Sequence, residues 1–500
     1  MNFSETPQAG LLEKRLEMAV WVILAGLILL PRMYLWHLLP VPLWSKDAYS
    51  YAWPVFEWLD TGDWHTDPRR GTVYALLIAA CAKLGIGFSG LILVQHVLGG
   101  FAVLGGMVML RMMIGARWAL VPLVACGGAY AVYAGPISME HLVRNETLLF
   151  LFATGALGAL AAGFTRGHVG WFFAAGIFAS LLALTKGVFA PLIPMTLLAL
   201  AVLYRGDWKK VGLLGAALLA GYALPSLANK AVLRLSESNR PPEPQSGLLL
   251  FARVAQFTVL DGGIEPEIKA LIRQDIVDYI ALVKDEGDLD NNIPLNRTAV
   301  PRMREHLLKQ GKTAVDLNTL CRSLAVEAIK THPREYFSQV WGDWVRLHLS
   351  FASRVRGPDA SDVRGSIKNY KNTPMHALLE LEKNVPLLET RTDKKFFRGY
   401  QNVVDGAWLF QCSPVLLTSL LLPFFLFMGT PAWRAWWWVA AALWYFNIVL
   451  LCTVGKPMNR YLLPVTPIIF MVLAGKVTSL WLFLLRSAGR IRNRVSTAQS

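Results

Sequence analysis

"GTVYALLIAACAKLGIG", residues 71–87, decides how the chain is threaded. It is apolar enough to enter a bilayer, but Lys83 and two glycines close it after about 16 residues. At 1.5 Å per residue a helix of that length reaches ~24 Å, short of the ~30 Å hydrocarbon core. Ten further apolar segments flank it, near 17–39, 89–110, 117–135, 147–164, 169–184, 187–204, 211–229, 407–428, 435–452 and 461–485.

The composition agrees with a membrane-embedded chain. Of 500 residues, 54% are hydrophobic and only 17% charged, against roughly 25% in soluble domains. Mean hydropathy is +0.40 and there are 18 tryptophans. The net charge of +15 does not ask for nucleic acid, because basic cytoplasmic loops account for it. The five cysteines (Cys81, Cys126, Cys321, Cys412, Cys452) contain no CxxC pair, so neither a disulfide nor a zinc site is expected. The first apolar run is too long for a cleaved signal and no A-x-A site follows it.

Orientation follows from Lys and Arg at the span ends. If all eleven segments crossed, Arg111/Arg117, Arg205/Lys209/Lys210 and Arg486/Arg490/Arg492/Arg494 would lie opposite Lys14/Arg15. If 71–86 instead lies in the outer interface, all of these gather on the cytoplasmic side. The expected architecture is an all-α polytopic membrane protein with about ten transmembrane helices, both termini cytoplasmic, and an outer-face juxtamembrane helix. It divides into an N-terminal transmembrane module, 1–230, whose first outer loop spans 40–87; a mainly helical outer-face insert, 231–405; C-terminal transmembrane helices, 406–485; and a basic tail, 486–500. "SESNRPPEPQSG" (236–247) reads as the linker into the insert. Within the insert a helix should start at Pro333. Its Phe337, Val340, Trp341, Trp344 and Leu347 share a face, which is expected to pack inside a small domain, the alternative being that it rests on the membrane surface. No internal repeat, Walker loop, GxGxxG, HExxH or GxSxG occurs.

On this topology the ionisable residues of the outer side fall at one depth. Arg32 ends span 1. "SKDAYSYAWP" (45–54) carries Asp47 and Tyr49, and Arg69 and Arg70 follow in the same loop. "PISMEHLVRNETLL" (136–149) carries Glu140, His141, Arg144, Asn145 and Glu146. "LTKGV" (184–188) carries Lys186, and "GKPMNRYLLPVTP" (455–467) carries Lys456, Arg460 and Tyr461. Ionisable residues facing a cavity at a membrane boundary are functional by default. The set has acids for proton transfer and cations for an anionic ligand.

The ordered motifs resemble the GT-C membrane glycosyltransferases, in particular the branch with the lipid A aminoarabinose transferase and the protein O-mannosyltransferases. The likeness covers about residues 30–200 and 450–475. It rests on the acid–aromatic pair after span 1, the basic/proline stretch leading into "AKLG", "RNETLLFLF" (144–152), "LTKG" and "NRYLLPVTPIIF" (459–470). Family members often carry two prolines after the basic residue; here Pro68 precedes Arg69 and Arg70, and either arginine can fill the place.

The resemblance implies transfer of a sugar from a polyprenyl-phosphate donor to a hydroxyl of a lipid, polysaccharide or protein. It implies an inner-membrane location with the site on the periplasmic side. Asp47 is the expected base. Glu146 either orients the acceptor or holds a divalent metal (Mg or Mn) with Asp47. Arg460 and Lys456 are the first candidates for the donor phosphate, and Lys186, Arg70 or Arg69, and Arg32 the second. Tyr49, Glu140, His141 and Tyr461 are acceptor or loop candidates. Membrane lipids are expected partners and nucleic acid is not. The alternatives are a flippase for lipid-linked sugars, which needs cations but no base, and a scaffold whose insert recruits a partner. A reporter fused after Gly115 is expected to be cytoplasmic and one near Ser238 outside; a Gly115 fusion on the outer side would mean that 71–86 crosses.

Overall fold

The computed structural model describes residues 7–44, 47–64, 70–114, 137, 139–235, 246–286, 295, 298–349, 418–420, 422–423, 426–427 and 430–454. Among them every regular element is a helix, apart from a single bridge between Leu43 and Leu142. Two compact units divide the chain. The second takes Asn239–Ser350 with Trp444–Leu462, and the first takes the rest.

In the first unit the helices are α1 (Pro7–Leu38), α2 (Ala48–Thr61), α3 (Thr72–Lys83), α4 (Gly87–Ile114), α5 (Glu146–Arg166), α6 (Val169–Thr185), α7 (Leu192–Leu203) and α8 (Trp208–Leu235). A 3₁₀ turn, Gly187–Phe189, joins α6 to α7. A further helix, α14 (Pro431–Thr453), contributes its first half to this unit. Among the described helices α1, α4, α5, α8 and α14 are each long and apolar enough to cross a membrane. The chain is a multi-pass helical membrane protein. The expected spans 117–135 and 461–485 lie outside the described residues, as does most of 407–428.

Segment 71–87 behaves as its length requires. α3 has 12 residues, ~18 Å, and cannot span. Gly85 (φ 71°) and Gly87 (φ 57°) then turn the chain straight into α4. Both positions need the left-handed backbone that only glycine adopts freely. Lys83 lies over the Trp58 ring, 5.3 Å from its centroid.

α5 is the central helix: 83% of its most apolar window is buried, against 22% for α1 and 28% for α8. The outer two instead present Val22, Leu30, Leu213 and Leu227 outward, as lipid-facing helices do. Without a hydrophobic drive between helices in lipid, close packing of small residues supplies cohesion. α6 and α8 show it. A Cβ on Gly176 would strike the Leu218 carbonyl, one on Gly221 would strike that of Phe173, and Ser180 and Ser226 share a 2.9 Å hydrogen bond. The Trp436 indole N–H donates to Leu157 O at 2.8 Å and ties α14 to α5.

The second unit holds α9 (Ser246–Val254), α10 (Pro266–Glu286), α11 (Ala299–Lys309), α12 (Ala314–Thr331) and α13 (Pro333–Leu349). Phe251, Ile272, Ile276, Met303 and Leu324 form its core. A reciprocal capping box of Thr313 and Asp316 starts α12. α13 begins at Pro333 as expected, but its aromatic face is divided. Tyr336, Val340, Asp343 and Leu347 turn inward, whereas Phe337 (64% exposed) and Trp341 (67%) turn out. The helical repeat puts Phe337 about 80° and Trp341 about 120° around the helix from Leu347, so the two aromatics fall beyond the edge of the face that packs. α8 runs on to Leu235, a few residues past the expected start of the insert at 231.

Gly176→Leu or Gly221→Leu should prevent α6 and α8 from closing and lower the thermal unfolding midpoint of the purified protein by several degrees. The same change at Gly158, where a Cβ meets nothing within 4 Å, should cost markedly less.

Candidate functional site

The site is assembled from helix starts. α2 begins after Asp47, α3 after Gly71 and α5 after Asn145, and no side chain caps any of the three. α6 ends beside them at Thr185. A Cβ on Gly71 would meet the Leu184 carbonyl, and Asn145 Nδ2 donates to Thr185 O at 3.2 Å. Helix N-termini carry unsatisfied N–H groups and partial positive charge, so their convergence favours an anion.

Asp47 lies between two guanidinium groups. Arg70 Nη2 donates to its Oδ1 at 3.2 Å, and Arg144 Nη2 stands 3.5 Å from its Oδ2. Arg70 is further fixed by Nε to Ser50 Oγ (2.9 Å) and Nη1 to the Tyr51 hydroxyl (3.2 Å), with its Cζ 4.5 Å from the Tyr51 ring centroid. The Tyr51 hydroxyl in turn donates to Asn145 Oδ1 at 3.2 Å. Burial pushes the Tyr51 phenol well above its usual range, and the Glu146 carboxylate adds to this. Glu146 is 7% exposed, and its Oε2 has no hydrogen-bond partner. A small cleft opens beside this cluster, lined by Ser50, Tyr51, Pro54, Arg70, Thr72 and Ala75.

A buried polar network holds the second outer loop in place. Glu140 receives both Nε and Nη2 of Arg32 at 2.8 Å, while Arg32 Nη1 donates to Ile28 O. His96 Nδ1 is 3.0 Å from Glu140, its Nε2 is 3.1 Å from His141 Nδ1, and His141 Nε2 reaches Val41 O at 3.0 Å. Gln95 donates to the carbonyls of Glu140 and Leu142 and accepts from the Tyr74 hydroxyl. Gly99 leaves the room that the Glu140 carboxylate fills. Two backbone bonds, Leu43 N to His141 O (2.9 Å) and Val143 N to Leu43 O (3.4 Å), then lock the first loop to the second. Burial and the neighbouring His96 depress the His141 pKa to about 3, so the ring is neutral.

These contacts redistribute the expected roles. Arg32 and Glu140 are almost wholly buried and satisfy each other, so Arg32 is withdrawn from the phosphate ligands, and Glu140 and His141 from the acceptor candidates. Tyr49 packs against Trp53, centroids 5.6 Å apart; Tyr51, two residues on, is the tyrosine that touches Arg70. Asp47, Arg70 and Glu146 come together, and the chain at Lys186 ends the helix that Asn145 holds. Arg69, Lys456, Arg460 and Tyr461 lie outside the described residues. Ser50 and Tyr51 were not among the expected site residues, and Arg144 and Asn145 stood only in the polar set of the second loop, without a role of their own. Their signal was the spacing 47, 50, 51 on one side of α2, and adjacency to Glu146. A resident metal fits this set poorly. Both Asp47 oxygens face arginine, and no group of three or more His, Cys, Asp or Glu able to hold an ion occurs among the described residues.

No protein-family model matches the chain. No curated protein matches it either. Among solved structures it is similar to ArnT from Cupriavidus metallidurans, in the crystal structure of that protein bound to undecaprenyl phosphate. Identity is 16%, the match covers 89% of this chain and 78% of that one, and the TM-score is 0.29.

Removing one partner of the Arg32–Glu140 pair strands a buried charge, at a cost of about 3–5 kcal/mol. Arg32→Met and Glu140→Gln should each sharply lower the unfolding midpoint and the yield. The double variant should recover part of the loss, which a double-mutant cycle of unfolding midpoints would read.

Proposed function

We propose that the protein is an integral membrane glycosyltransferase that moves a sugar from a polyprenyl-phosphate donor to a hydroxyl acceptor. The observation that carries this reading is Asp47 held between Arg70 and Arg144 where three uncapped helices begin. Such a place offers a carboxylate for proton abstraction and positive charge for a leaving phosphate within contact distance of each other.

The two arginines link binding to activation. While they pair with Asp47, both of its carboxylate oxygens are engaged. An arriving donor phosphate competes for Arg70 and Arg144, because guanidinium binds phosphate through charge and paired N–H donors. Asp47 is then freed to take the proton of the acceptor hydroxyl, a contribution of typically 10²–10⁴-fold. The hydroxyl oxygen attacks the anomeric carbon, the carbon–oxygen bond to phosphate breaks, and the electron pair leaves on the phosphate. The arginines and helix N-termini stabilise that charge as it develops. Tyr51 and Asn145 position Arg70, and Glu146 orients the acceptor. Lys186 is a further proposed ligand of the phosphate. No step is routed through a metal.

The reaction is placed on the periplasmic face of a bacterial inner membrane, with lipid A, a polysaccharide, another lipid or a protein as acceptor. The test is transfer from a purified polyprenyl-phosphate sugar. Asp47→Asn should bind donor at least as tightly as wild type, since the competing carboxylate charge is gone, but lose turnover by about two orders of magnitude or more. Arg70→Lys should be intermediate and Arg70→Ala worst, the loss appearing in donor KM if phosphate is held equally throughout and in kcat if the contact tightens as phosphate leaves. Full turnover by Asp47→Asn would remove Asp47 as the base, whereas absence of any transfer by the wild-type protein would favour a flippase.

A further inference from the structure

α13 carries two apolar faces, and the core accounts for only one. Tyr336, Val340, Asp343 and Leu347 point into the second unit. On the opposite side Arg334, Phe337, Ser338 and Trp341 follow one another at helical spacing and are all exposed, Phe337 and Trp341 by about two thirds. Two neighbouring large aromatics left in water on the outside of a well-packed helix need an occupant.

The position of α13 within its unit names that occupant. The end of α14 belongs to the same unit, and α14 is a membrane-crossing helix of 23 residues. At 1.5 Å per residue it is ~34 Å long, slightly more than the ~30 Å hydrocarbon core, so its last turn reaches headgroup depth. That last turn is where the unit is attached. The Tyr336 hydroxyl donates to Thr453 O at 2.9 Å, and Arg253 Nη2 donates to Cys452 O at 3.0 Å. Arg253 also pairs with Asp343 of α13, in a buried bridge that Arg346 joins from the exposed side at 2.7 Å. α13 is therefore pinned at two points to a helix end that lies in the interface. Phe337 follows Tyr336 directly, and Trp341 is one turn further, ~6 Å along the axis. The interfacial layer is itself ~5–7 Å deep on each side. Trp, whose indole has a polar edge, and Phe on an apolar face flanked by a basic residue are side chains that settle there.

We propose that α13 is an interfacial anchor, with Phe337 and Trp341 inserted among the lipid headgroups and Arg334 facing lipid phosphate. The second unit then rides on the bilayer surface through its own side chains as well as through its covalent connections. This anchor is independent of the glycosyltransferase reading and would hold for a flippase equally.

The test uses the full chain in lipid nanodiscs that contain one copy each. Spin labels are attached at Phe337→Cys, Trp341→Cys and, as a solvent control, Lys309→Cys, in a background with the native cysteines changed to alanine. Lys309 is 73% exposed. The ratio of oxygen to water-soluble nickel-chelate collisions should be several-fold higher at 337 and 341 than at 309. The native chain supplies a second measurement that needs no cysteine replacement. Under hydroxyl-radical footprinting read by mass spectrometry, Trp341 should be modified as little as the buried Trp444 of the same unit. Labels at 337 and 341 that match the Lys309 control, or strong oxidation of Trp341, would overturn the proposal. So would protection of Trp341 that appears only in discs holding two copies, since the face would then be a seat for a second chain.

Discussion

The arrangement at the outer loops depends on one buried ion pair. Arg32 and Glu140 are 108 residues apart and meet through two 2.8 Å hydrogen bonds at almost zero solvent exposure. Neither charge could remain alone in that setting, so α1 and the segment before α5 are held in one register. The effect then passes outward in short steps. Glu140 orients His96, His96 meets His141, and His141 closes on Val41 O and through its own carbonyl on Leu43 N. Four residues beyond Leu43 the chain reaches Asp47, and three beyond His141 it reaches Arg144. The exposed pair that carries the proposed chemistry inherits its position from the buried pair that does not.

The fold was largely legible because lipid imposes simple rules. Lengths of apolar runs marked α1, α4, α5 and α8, and the shortness of 71–87 marked α3 as a helix that cannot cross. The site was legible only in part, for a specific reason. The rule that treats intramembrane charges as functional does not distinguish a charge facing a cavity from one facing an opposite charge. Arg32 and Glu140 look as promising in sequence as Arg70 and Asp47. Only tertiary contact shows that the first two are consumed by each other at near-zero exposure, while the second two remain about one third exposed. Tyr51 was missed for a smaller reason: the exact start of α2 at Ala48 decides whether 49 or 51 turns toward Arg70, and helix starts are the least certain part of a sequence reading. α13 shows the same limit. Its aromatics have a clear helical period, but period alone does not say that two faces, rather than one, are apolar.

The two units use buried charge in parallel ways. In the first, Arg32–Glu140 fixes a loop to a span. In the second, Arg253 links Asp343 of α13 to the carbonyl at the end of α14, and Lys269 bridges Glu327 at 2.6 Å while also donating to Gly262 O. In each case the cation satisfies a backbone carbonyl as well as a carboxylate. A guanidinium or ammonium group with donors to spare suits this joint role, because a single side chain can neutralise an acid and close a helix end or a turn.

Gly99 gives the Arg32–Glu140 pair a historical dimension. The Glu140 carboxylate occupies the space that a side chain at 99 would take. Any methyl group there evicts the acid, and eviction of the acid strands the arginine. The three positions thus form one hereditary unit. A descendant chain could not accumulate changes at them one at a time without passing through a poorly folded intermediate. It would have to shorten the acid before enlarging residue 99, or lose both charges nearly together. Drift is therefore expected to be slow at a site buried well away from the proposed chemistry, for reasons that concern the order of substitutions rather than catalysis.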